Sequence, residues 1–304
     1  CRAQTSDVSR FRNSQTINTM APSRPPTRKS RAAVFAVVDI GSGSVSGAVA
    51  LFKNDASSQP HVLHMVGEDF LFQTRVRPER LVRAMGTALE AVITSLSRFV
   101  HERGEDIGRI MLTFSAPWYM AETKILLYSK NEPYVITAKV LDHLIEEAWR
   151  RFGAPAPASP RVRTKPREEA HTLIEQSIVS LELNGYRTHT PLGKKARTLE
   201  IALYLSRASQ SVVGNVDDVM QRLVPGATVI PHSSALVLTS ALMGLFPAHG
   251  DFVLCHVSAD VTEVVLVLDR ILREVASFPY GAHTLIRELS TILGTVPAET
   301  SSLL

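Results

Sequence analysis

The sequence predicts an α/β fold in which one strand–strand–strand–helix unit occurs twice, with a small αβ module inserted between the copies. Three observations carry this. Short β-branched runs broken by tight turns occupy Ala33 to Phe72 and return at Phe252 to Ser277. An amphipathic helical pattern follows each set. In the 304-residue chain, no apolar run reaches the roughly 18 to 20 residues that span a bilayer.

In the first unit, Ala33 to Val38 reads as a strand, Ser46 to Phe52 as its return and His61 to Phe72 as a third. Arg77-Pro78-Glu79 opens a helix carrying Leu81, Met85, Leu89, Val92, Ile93, Leu96 and Val100 at spacings of three and four, and Gly104 stops it. Gly108 to Ser115 and Ala121 to Tyr128 read as strands around Pro117-Trp118. Thr137 caps a helix with Leu141, Leu144, Ile145, Ala148 and Phe152 on one face, and the Pro/Arg-rich stretch Gly153 to Arg167 is a loop. His171 to Leu183 and Ala196 to Leu205 are strands. A helix from Ser209 or Ser211 ends at Pro225-Gly226, followed by a strand at Ala227 to Ile230 and an apolar helix at Ser234 to Leu245. Phe252 to Val257, Thr262 to Leu268 and Ile271 to Ser277 then repeat the meander, and Gly281 to Leu293 repeats the helix.

Charge is unevenly placed. Residues 1–31 hold seven basic side chains against Asp7, so of the overall +4 the remaining chain carries about −2. This Ser/Thr/Pro/Arg-rich tail lacks the apolar core of a secretory signal and reads as a solvated leader. Cys1 and Cys255 make neither a disulfide framework nor metal-ligand spacing, which fits a reducing cytoplasmic setting. Lys194, Lys195 and Arg197 have no interleaved aromatic residues, so no nucleic-acid partner is expected. No Gly-x-Ser-x-Gly elbow supports a Ser–His–Asp hydrolase.

The chemistry-bearing stretch is Asp39-Ile40-Gly41-Ser42-Gly43-Ser44, at the meeting of two antiparallel strands. Small residues there allow backbone N–H groups to line a concavity for phosphate oxygens, with Gly41 and Gly43 free to take positive φ. Ser42 and Ser44 add hydroxyls, and Asp39 offers a carboxylate suited to hydrated Mg²⁺. A hairpin turn opened by a structural Asp is the plainer alternative.

This stretch resembles the first phosphate loop of the actin, sugar-kinase and chaperone ATPase superfamily, with Ser46 where actin has lysine. The second half is similar to the division protein family FtsA and to the related PilM family of pilus machines. Their second phosphate loop reads Asp-Ile-Gly-Gly-Gly-Thr-Thr-Asp. Here His256-Val257-Ser258-Ala259-Asp260-Val261-Thr262-Glu263 stands in its place, and Pro279-Tyr280-Gly281-Ala282 matches the following Pro-x-Gly-Gly. His256 replaces the leading acid, and Asp260 puts negative charge where phosphate would sit. Pro191 to Glu200 also resembles FtsA, and Ser233-Ser234-Ala235 resembles the family's connecting helix.

The resemblance implies actin-like (ribonuclease H-like) repeats with an inserted FtsA/PilM-type domain and with the C-terminal part of the fold missing. The implied partition is a tail at 1–31, a first subdomain at 32–107, the insertion at 108–207, a return with connecting helix at 208–248 and the start of a second subdomain at 249–304. It implies ATP and Mg²⁺ held weakly by Asp39, Gly41, Ser42, Gly43 and Ser44, with Thr262 and Glu263 opposite and Asp39 as the metal ligand. Efficient hydrolysis is not expected, because the second loop is degenerate. The implied role is a cytoplasmic division scaffold that self-polymerises or docks partners such as a tubulin-like filament protein. Membrane contact would come only through a further C-terminal segment or a partner. A PilM-like pilus platform and a sugar-kinase-type phosphotransferase are the alternatives.

Overall fold

The computed structural model describes residues 33–52, 60–73, 75–153 and 170–303. The basic tail, Cys1 and nearly all of the loop expected at Gly153 to Arg167 lie outside them.

The first unit is built as its patterning predicts. β1 (Ala33–Ile40), β2 (Ser44–Phe52) and β3 (His61–Asp69) form an antiparallel meander, and α1 (Pro78–His101) follows. The α1 stripe of Met85, Leu89, Val92, Ile93 and Leu96 shares one buried core with Val38, Ile40, Val45 and Val49. At about 25 cal/mol per Å² of apolar surface, stripes of this size are the main stabilising term of such a layer. Gly104, at φ 72°, turns the chain after the helix, as expected.

β4 (Arg109–Phe114) corrects the sequence-based partition. It pairs in parallel with β1, Val38 opposite Leu112, and not with the inserted module. Its Ile110, Leu112 and Phe114 are fully buried in the first core. The insertion therefore starts at Tyr119, not at 108. Its strand β5 (Tyr119–Val135) pairs with the 15-residue β8 (Lys195–Ser209), which also pairs with β6 (His171–Leu183); β7 (Tyr186–Arg187) completes the sheet. α2 (Ala138–Gly153) covers one face of this sheet, giving the module its own core around Leu141, Ile145, Leu199 and Leu203.

The chain then returns through α3 (Gln210–Leu223), which packs on α1, and β9 (Thr228–Ser233), which extends the first sheet to the order β3-β2-β1-β4-β9. Ser209 caps α3 by accepting the Val212 N–H. β10 (Phe252–Val257), β11 (Thr262–Leu268) and β12 (Ile271–Phe278) form the second meander, ahead of α5 (Ala282–Leu293) and α6 (Pro297–Ser301). α4 (Ser234–Leu245) lies against β4 and β9 on one side and β11 and β12 on the other, joining the two units. The repeat is incomplete at one edge. Among the described residues no strand pairs with the outer side of β10, and Val253 and Val257 are 63% and 58% exposed where their counterparts Ala36 and Ile40 are buried.

Candidate functional site

β1 and β4 run in parallel and end together, which sets Asp39 beside the start of the chain that leaves β4. The Ser115 hydroxyl donates to Asp39 Oδ1 at 3.2 Å. Burial pushes the Asp39 carboxyl above its usual range, while the Ser115 bond and the nearby His256 charge pull it back in part. Protein surrounds the group on most sides, yet its edge is open to solvent. His256, where the second unit was expected to carry an acid, is near enough to act on Asp39 electrostatically.

Gly41-Ser42-Gly43 makes the turn, closed by a Gly41 N–H bond to the Ser44 carbonyl at 2.9 Å. Neither Gly41 nor Gly43 takes positive φ, which corrects the conformational role expected for them. Gly43 is needed for space. A Cβ added there would lie 2.2 Å from the Ala259 methyl group. The two turns are therefore in direct contact.

Ser42 is fully buried in that contact, 2.8 Å from Ser258 Oγ, and accepts the Asp260 N–H at 2.9 Å. The Ser258 hydroxyl gives its proton to the Val261 carbonyl at 2.8 Å, so Ser42 is the donor between the two serines. Asp260 takes Arg287 Nη2 on one oxygen at 2.7 Å and His283 Nδ1 on the other at 3.3 Å. Burial raises its pKa, but the His283 and Arg287 hydrogen bonds and charges outweigh that and hold it below the usual range. Thr262 donates to the Tyr280 carbonyl at 2.6 Å. Glu263, only 2% exposed, accepts from Tyr119 at 2.6 Å and from Ser234 at 2.9 Å.

The structure thus brings Asp39, Gly41, Ser42, Gly43 and Ser44 to one turn and sets it against the second. It places the side chains of Thr262 and Glu263 in contacts within the protein, away from the meeting point. Among the described residues no group of three His, Cys, Asp or Glu side chains could hold a metal.

Trp118 and Tyr119 matter in ways their sequence position did not reveal. The Trp118 indole N–H donates to the Gly41 carbonyl at 2.6 Å, and its ring meets Phe70 edge-on. Sequence reading also passed over His283 and Arg287, although their i, i+4 spacing on a helix after an acidic turn was a usable signal.

The sequence matches no family profile and no curated protein. Solved structures give the comparison instead. Over 90% of this chain and 69% of the other, the "PilM-PilN type IV pilus biogenesis complex" matches with a TM-score of 0.54 at 10% identity. The fold is actin-like. The ethanolamine utilization protein EutJ from Carboxydothermus hydrogenoformans matches 90% of this chain and 62% of its own, with TM-score 0.44 and 9% identity. A Bacteroides thetaiotaomicron protein described as having an actin-like ATPase fold covers 86% and 78%, with TM-score 0.41 and 10% identity.

One open cavity stands at the junction of this actin-like framework and the inserted module. It measures about 830 Å³ and is lined by Val82, Trp118, Met120, Val212, Val261 and Pro279, among others. Glu79, Arg207, Asp260 and Arg287 bring charge to its wall. Among the described residues no helix is long and apolar enough to cross a membrane.

Proposed function

We propose that the chain is an actin-fold docking scaffold that holds a short segment of a protein partner in this groove. The carrying observation is the groove itself: an apolar trough with a few charged groups, at a junction between three packed units, has the character of a recognition site. Its volume suits several side chains of an extended segment. ATP and Mg²⁺, expected from the first turn, take no part in this reading, and no residue is assigned a catalytic role.

The fold likeness to PilM in its complex with PilN supports a pilus-platform role. The FtsA-like stretch Pro191 to Glu200 supports a division scaffold that self-polymerises or docks a tubulin-like filament protein. Both roles use the same groove, and Met120, 48% exposed within it, separates them from a purely structural cavity. Fluorescence anisotropy would use labelled segments of a PilN-type protein and of a tubulin-like filament protein from the same genome. One should bind, and Met120→Glu should weaken it at least about tenfold by replacing an apolar contact with a carboxylate held opposite Arg207. Binding that ignores Met120→Glu removes the groove from the proposal. No binding of either segment at about 100 µM removes the docking role.

A further inference from the structure

The contact between the two turns is completed by protein atoms alone. Ser42 spends its hydroxyl twice across the seam, on Ser258 and on the Asp260 N–H. Gly43 lies flush against Ala259. On the second side, Gly281 leaves no room for a side chain, since an added Cβ would stand 2.5 Å from the Ser258 carbonyl oxygen. That fit lets α5 begin directly on the turn, with the Ala282 and His283 N–H groups bonded to the Ser258 and Ala259 carbonyls.

Two side chains of α5 are turned to the same place. Arg287 and His283 both grip Asp260, and Arg287 Nη1 reaches across to the Gln73 carbonyl of the first unit at 3.1 Å. Phe72 lies edge-on to His283 and under the Arg287 guanidinium, which adds cation–π attraction. An incoming phosphate would have to displace Ser42 and then meet the Asp260 carboxylate.

We infer that the two turns form a clasp that holds the halves of the molecule together without nucleotide, with Asp260 supplying the negative charge that a bound phosphate would bring. The inference rests on the seam; Asp260 and Arg287 also line the groove, so it is tested with no partner segment present. A clasp of this kind gives a scaffold one fixed shape, where a nucleotide-gated cleft would give two.

Hydrogen exchange followed by mass spectrometry on the full chain tests it. Peptides covering 41–44 and 257–262 should be protected with no ligand and change by less than about twofold with Mg-ATP or inorganic phosphate. Ser42→Ala should speed exchange in both peptides about tenfold, because it strands the Asp260 N–H and removes the Ser258 contact. If Ser42→Ala loosens the whole chain, Asp260→Asn decides, since it keeps the side-chain shape and should open 257–262 and the start of α5 only. Turns that exchange freely in the unliganded protein and slow with Mg-ATP overturn the inference, as does wild-type exchange in both variants.

Discussion

Replacing Glu263 by alanine would remove the shared acceptor of two buried hydroxyls, which stand 3.2 Å apart and can then bond only one of their two protons between them. Glu263 on β11 takes bonds from Tyr119 on β5 and Ser234 at the start of α4, so the change reaches three elements together. Tyr119 cannot adapt by ionising, because burial, the first cause of its raised pKa, persists in the variant. Each hydrogen bond to a charged acceptor contributes about 1.5–3 kcal/mol. Relief from holding a carboxylate in a dry site offsets part of the loss, leaving a net cost of about 3 kcal/mol. For a chain of this size that corresponds to a fall in Tm of roughly 6–12 °C. Glu263→Gln keeps the volume and one acceptor, and a hydroxyl can rotate to meet its amide, so it should cost only about 1–2 kcal/mol. Circular-dichroism melts at neutral pH measure both. A Glu263→Ala melt within about 2 °C of wild type, or a Gln variant no milder than Ala, would refute the reasoning.

The remaining predictions concern the turns and the exposed edge. Gly43→Ala should destabilise the protein by about 1–3 kcal/mol in urea unfolding, and adding Ala259→Gly should recover most of it; additive costs would show that the two atoms do not meet. Asp260 has a folded pKa below its unfolded value of 3.8, so its contribution is complete above that pH and is lost as pH falls through the folded value. The stability gap between wild type and Asp260→Asn should accordingly be largest at neutral pH and close at the acid end. Asp39 has the opposite sign: its folded pKa lies above 3.8, so ionising it costs stability as pH rises, and Asp39→Asn should flatten that fall. Cys255, exposed on β10, should be alkylated in the folded protein without denaturant, read by peptide mapping; protection there would mean the β10 face is covered in solution.

What was legible in the sequence was local and periodic. The α1 stripe, the two meanders and their turns follow from side-chain spacing and small residues, and each lies within about a dozen residues of its own signal. The same reasoning placed Asp39 to Ser44 on a turn, because a turn is decided by the residues that make it. It failed where the deciding contact is distant in the chain. β4 has the same composition whether it pairs with β1 or with the inserted module, and parallel pairing leaves no hairpin signal to choose between them.

The clasp shows the same division most sharply. Ser42 and Ser258 are 216 positions apart, and nothing in either turn announces that their hydroxyls meet. Gly43 looked like a residue chosen for its backbone freedom, whereas it is a residue without a side chain opposite Ala259. Glu263 read as a remnant of a phosphate loop and is the buried acceptor that joins β5, α4 and β11. By itself the sequence determined which segments are strands, helices and turns, since those are set by near neighbours and by the period of burial. Only the tertiary structure decided what each polar side chain faces, because a hydrogen bond needs two partners and the chain can bring the second from anywhere.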